Sequence, residues 1–175
     1  DFKTYTKYLN LIKKDTYSLY HSKILELRQY YYVNHFKAYN TLVKAFPLVI
    51  DGIKTFSSVS SIYICTAKSK DEVLFWNENF GIEDKIIEVI SCNPTDNGKV
   101  AILNALATSK NLRPSDIYYI DDLSANLIPA INAGYNGFLA NWGYDSPIGK
   151  NIFLTKSKHI INQTDFIEIL KKYGK

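Results

Sequence analysis

Asp121 and Asp122 stand side by side directly behind the apolar run Ile117-Tyr118-Tyr119-Ile120, and Asn126 follows one helical turn later. Two adjacent carboxylates behind a buried strand repel one another and lose hydration, a costly arrangement unless a cation or several donors compensate. Hard oxygen ligands at such a place suit Mg²⁺, which takes one or two carboxylates and completes its shell with water and phosphate. Asp121, Asp122 and Asn126 are therefore the candidate metal ligands. The simpler alternative is that one Asp caps the helix that follows. A second group lies behind Ser61-Ile62-Tyr63-Ile64-Cys65, where Thr66, Ala67 and Lys68 follow the strand. A hydroxyl and backbone N–H groups facing a helix start can bind phosphate oxygens. Taken alone, Thr66 reads more readily as an N-cap or turn threonine. Lys99 is the third candidate. A lysine in the first turn of a helix works against the helix dipole unless it reaches toward an anion.

The surrounding pattern supplies elements to hold these groups. From Pro47 onward, short apolar strands alternate with helices. Strands are expected at 61–65, 86–90, 117–120, 137–140 and 159–161. A helix opens at the capping-box pattern Ser69-Lys70-Asp71-Glu72 and is closed by Gly81. Others run from Thr95-Asp96-Asn97 to about Lys110, from Ser124 to Ala133, and from Thr164 to the end. Pro129 is tolerable only if it lies in the first turn of its helix. Such alternation implies a mostly parallel sheet covered on both faces, with ligands at the carboxyl ends of the strands. Before Pro47 the apolar spacing is helical, in Phe2–Lys14 and Thr16–Phe46, with breaks or caps at Asp15-Thr16 and Asn34. The chain thus divides into an all-helical segment, 1–46, and an α/β segment, 47–175.

Composition sets the outer limits. The 175 residues are 46% hydrophobic and 22% charged, ordinary for a globular protein, with a formal charge of +4. The lysines are scattered, so no nucleic-acid surface is expected. No apolar run approaches the roughly 20 residues of a membrane span. Cys65 and Cys92 both sit in apolar runs, which fits a reduced, cytoplasmic setting. No Gly-x-Gly-x-x-Gly follows a strand, which argues against dinucleotide binding.

Taken together, Ile62-Tyr63-Ile64-Cys65-Thr66, Lys99, Tyr118-Tyr119-Ile120-Asp121-Asp122-Leu123-Ser124-Ala125-Asn126, Ala130-Ile131-Asn132-Ala133-Gly134 and Asn141-Trp142-Gly143-Tyr144 resemble the haloacid dehalogenase-like superfamily. The likeness is to its phosphoglycolate-phosphatase-like branch and covers the chain from about Phe46. It implies a Rossmann-like core and a helical cap formed by 1–46. It also implies Mg²⁺-dependent hydrolysis of a small phosphorylated metabolite through an aspartyl-phosphate. Thr66 and Lys99 would serve in catalysis, and Thr66, Ala67, Lys68 and Lys99 would bind phosphate. From the cap, Arg28, His21 and His35 could face the substrate, Arg28 foremost. A monomer or homodimer in the cytoplasm is expected.

The family's first motif, a strand ending in Asp-x-Asp, is not in this sequence, and Asp1-Phe2-Lys3-Thr4 does not supply it. In the family that strand lies between those ending at Thr66 and Asp121. Leaving its place empty would cost about 1–3 kcal/mol per unpaired buried backbone group. The sequence holds no methionine, not even at its first position. The expectation is therefore an upstream strand carrying the nucleophile, and no activity from the chain alone. A phosphomutase or a non-catalytic binding protein of the same fold are the alternatives. Dehalogenation is disfavoured, because paired carboxylates would repel the departing halide.

Overall fold

The computed structural model describes residues 14–91, 98–157 and 159–173, which form two compact units, Asp1–Lys44 and Ala45–Lys175. The expected helix at 2–14, the cap at Thr95-Asp96-Asn97, Asp1 and Cys92 lie outside the described residues.

In the first unit, α1 (Lys14–Asn34) and α2 (Phe36–Leu42) are separated at His35. The expected end at Asn34 is found, and the Asn34 side chain donates to the Tyr30 carbonyl. The expected break at Asp15-Thr16 is not, because both residues lie inside α1. Asp and Thr are as compatible with an early helical turn as with a cap. Tyr32 packs edge-on against Phe36 and Tyr39, joining the two helices.

In the second unit the order is α3 (Pro47–Phe56), β1 (Tyr63–Thr66), α4 (Lys70–Phe80), β2 (Glu88–Ser91), α5 (Gly98–Lys110), β3 (Tyr118–Asp121), α6 (Ser124–Asn132), β4 (Asn136–Ala140), α7 (Pro147–Leu154), β5 (Ile160–Ile161) and α8 (Gln163–Tyr173). All strand pairs are parallel. Local chemistry explains the boundaries. Pro47 and Pro147 sit where a first turn needs no N–H. The Ser69 hydroxyl accepts from Glu72 N at 3.3 Å to open α4, and Gly81 closes it at φ +63°. Pro129 lies mid-helix in α6, contrary to the first-turn expectation. The carbonyl deprived of its donor belongs to Ala125, and both residues are exposed, so water can satisfy it. The helices α3 and α7 were not anticipated.

Among the described strands the ladder is divided: β1 pairs with β2, and β3–β4–β5 form a second sheet. Alternation sends side chains to two faces. Tyr119 and Leu139 point into a core shared with Leu103, Ala107, Leu127, Ala130 and Phe153 of α5, α6 and α7. Ile120, Phe138 and Ile161 point the other way, into a core with Ile53 and Phe166 of α3 and α8. Ile62 and Ile86, which flank β1 and β2, pack against that same second core, so the two sheets share it. The close approach of α3 to α8 needs Gly52, where a Cβ would come within 3.1 Å of the Phe166 ring. No helix among the described residues is long and apolar enough to cross a membrane.

Leu127 has no exposed surface and lies at the centre of the first core. Leu127→Ala should cost about 3 kcal/mol of stability, read as a lower denaturant midpoint at an unchanged slope.

Candidate functional site

Asp121 is the last ladder residue of β3, paired in register with Leu139. It shares its sheet face with Tyr119, two residues earlier, and that face is covered by α5, α6 and α7. Lys99, in the first turn of α5, reaches it. The Lys99 ammonium lies 2.6 Å from Asp121 Oδ2, with side-chain exposures of 20% and 3% respectively. The Tyr119 hydroxyl donates to the same oxygen. Asn126 Nδ2 spans both oxygens at 3.1 and 3.2 Å, and Leu123 N donates to Oδ1 at 2.9 Å. Burial pushes the Asp121 pKa up. The Lys99 charge and the hydrogen bonds from Lys99, Tyr119 and Asn126 outweigh it and hold the carboxyl below its usual range.

Asp122 points elsewhere. It is half-buried beside Gly143, where a Cβ would fall 2.0 Å from the Asp122 Cβ, so the loop after β4 can lie there only with glycine. Tyr144 N donates to Oδ2 at a long 3.4 Å, and Oδ1 has no donor among the described residues. The same loop grips the start of α6: Asp145 accepts from Ser124 N at 3.0 Å and from Ser146 N at 2.9 Å.

At the tip of β1, Thr66 Oγ1 accepts from Lys68 N at 3.0 Å, so one of the N–H groups expected to face an anion is engaged locally. Ser91, at the tip of β2, donates to the Lys68 carbonyl at 2.6 Å and ties the two strand ends together. The Lys68 ammonium leans back over α4, 5.0 Å from the Trp76 ring and 4.0 Å from the buried Glu72 carboxylate. Ala67 is exposed. Arg28 and His35 are exposed in the first unit, and His21 lies in α1.

The structure thus brings Lys99, Asp121 and Asn126 into one contact group, sets Asp122 beside them on a different neighbour, and holds Thr66 and Lys68 in a separate turn. Tyr119, Gly143, Asp145 and Ser91 were missed as site residues. Tyr119 was signalled by its spacing: a phenol two residues before a carboxylate on one strand lies on the same face. Gly143 stood in the run Asn141-Trp142-Gly143-Tyr144 without a role assigned to it, whereas Asp145 and Ser91 join residues far apart in the chain and left no local mark.

As a donor set, these residues fit a hard cation at Asp122. Asp121 does not fit as arranged, because its oxygens are filled by four donor residues, one of them a cation. Among the described residues no three His, Cys, Asp or Glu side chains gather to hold a metal ion. Asp122 with water, phosphate and one further carboxylate would meet the usual preference of Mg²⁺.

No protein-family model matches the sequence, and no curated protein does. Solved structures do. A haloacid dehalogenase-like family hydrolase from Streptococcus pneumoniae superposes with a TM-score of 0.61 at 18% identity, over 78% of this chain and 67% of that one. A structure described as a predicted phosphoglycolate phosphatase from Haemophilus somnus gives 0.61 at 20% identity, over 72% of this chain and 57% of its own length. The chain has the haloacid dehalogenase-like fold. That fold places the β1 and β3 tips, with Thr66 and Asp121, among the strand ends where α/β sheets bind ligands.

Removing Lys99 leaves a buried carboxylate without its cation. Lys99→Met should cost about 3 kcal/mol, measured by denaturant unfolding. The lowered Asp121 pKa adds stability that is complete above the unfolded value of about 3.9 and is lost as pH falls through the folded value. The stability difference between wild type and Asp121→Asn should therefore be flat above about pH 5 and shrink progressively below it.

Proposed function

We propose that this chain forms the larger part of a phosphoric monoester hydrolase of the haloacid dehalogenase-like fold, acting with Mg²⁺ on a small phosphorylated metabolite. The observation that carries the reading is the Lys99–Asp121 pair: a lysine held by a buried carboxylate at the carboxyl end of a parallel strand. The hydrolase and phosphatase descriptions of the similar structures agree with it.

In this reading, Lys99 and the Thr66 hydroxyl bind the non-bridging phosphate oxygens, which gain charge during transfer. The Thr66 hydroxyl accepts from Lys68 N and carries one O–H, the donor a phosphate oxygen requires. Asn126 fixes the plane of the Asp121 carboxylate. Asp122 is the carboxylate assigned to Mg²⁺, which when bound neutralises phosphate charge. Attack on phosphorus needs a further carboxylate. The reading takes it from a strand outside this sequence that pairs with β1 on one side and β3 on the other, where the described ladder is divided.

The test is phosphate release by the full-length protein across a panel of phosphate monoesters, with and without Mg²⁺. At least one should turn over in a Mg²⁺-dependent manner, and Lys99→Met should lower kcat by about a hundredfold. No turnover of any ester would overturn the assignment.

A further inference from the structure

Lys99 and Asp121 pose a physical problem for any phosphate site built on them. An ammonium 2.6 Å from a buried carboxylate has much of its charge already neutralised. To engage an incoming dianion it must loosen that contact, and a carboxylate with 3% exposure left without its cation is strongly penalised. A lysine so held would be a poor anion ligand unless something else supports the carboxylate once the lysine turns away.

The structure contains that support. Three neutral donors reach the same carboxylate: the Tyr119 hydroxyl on Oδ2, Leu123 N on Oδ1, and Asn126 Nδ2 across both. Leu123 N is backbone at the turn, and Asn126 follows from the first turn of α6. Tyr119 is the unexpected member. It is buried in a core of leucine, alanine and phenylalanine side chains whose other tyrosine, Tyr135, turns its hydroxyl to Asn104 instead. Packing alone would be met by phenylalanine. The hydroxyl is directed at the oxygen that Lys99 also occupies, so it remains as a donor to that oxygen whenever Lys99 withdraws.

We propose that Asp121 holds Lys99 in reserve in the ligand-free protein, and that Tyr119 is a positioning residue whose hydroxyl lets Lys99 transfer from Asp121 to an anionic ligand. The inference rests on the phosphate site proposed above. Tyr119 touches no ligand. It acts by stabilising the carboxylate more in the bound state, where Lys99 is shared with the anion, than in the free state.

The test uses the full-length protein and inorganic phosphate as probe, with affinity read by isothermal titration calorimetry and folding by thermal unfolding. Tyr119→Phe keeps the ring and removes the hydroxyl. It should weaken phosphate binding by about tenfold, the scale of one hydrogen bond to a charged group. In an Asp121→Asn background, where no carboxylate restrains Lys99, the same change should leave phosphate affinity unaltered. A purely structural tyrosine would lower the unfolding temperature and leave phosphate affinity in the folded protein unchanged; that result overturns the proposal. Equal weakening in both backgrounds overturns it too, because Tyr119 would then act independently of Asp121. Should Tyr119→Phe fail to fold, Asn126→Ala removes another neutral donor from the same carboxylate and carries the same expectation. Absence of saturable phosphate binding by wild type would overturn the phosphate site itself and this inference with it. Wild-type binding left unaffected by Tyr119→Phe would overturn this inference alone.

Discussion

A carboxylate buried at the end of a strand must be compensated, and the way Asp121 is compensated organises the second unit. Its oxygens draw in the first turn of α5 through Lys99, the turn after β3 through Leu123 N, and the first turn of α6 through Asn126. The helix that follows β2 and the turn and helix that follow β3 are thereby fixed to one point at the carboxyl end of the sheet. The apolar core beneath supplies the bulk of the stability, since burial scales with area and is not directional. The polar group above it supplies direction, because hydrogen bonds and ion pairs have preferred geometry. The low pKa of Asp121 expresses this balance: burial opposes the charge, and Lys99 with the neutral donors outweighs burial.

Asp122 shows the complementary arrangement. It is adjacent in sequence and chemically identical, yet among the described residues one of its oxygens has no donor and the other has only a long contact from Tyr144 N. Alternation along the chain sends neighbouring side chains to different surroundings, so two equal carboxylates acquire unequal roles. The loop after β4 enforces the division. Gly143 allows backbone to lie against Asp122, and Asp145 pins that loop to the start of α6. The acidic pair is thus one carboxylate held by four donor residues and one held, among the described residues, by a single long contact.

Much of this was legible in the residues. Strand–helix alternation after Pro47 located β1 to β5 within two residues of their ends, since apolar runs and Gly or Ser caps are local signals. Strand starts shifted most: β2 begins at Glu88, whereas the apolar run begins at Ile86, because Ile86 and Ile87 follow the single turn at Glu83–Lys85 before the ladder begins. Pro129 misled, since a proline on an exposed helix face loses only a bond that water replaces. In the site, the residue types at Thr66, Lys99, Asp121, Asp122 and Asn126 were evident because each follows a strand or opens a helix.

The sequence by itself determined the alternation of elements, the two faces of each strand and the clustering of polar groups behind strands, all consequences of spacing over a few residues. Only the tertiary structure decided which polar group meets which. Lys99 and Asp121 are 22 residues apart, Ser124 and Asp145 are 21 apart, and Ser91 and Lys68 are 23 apart. No local periodicity encodes those meetings. They follow from how parallel crossovers return each strand end to the same edge of the sheet, and from the cost of leaving any of those groups buried without a partner.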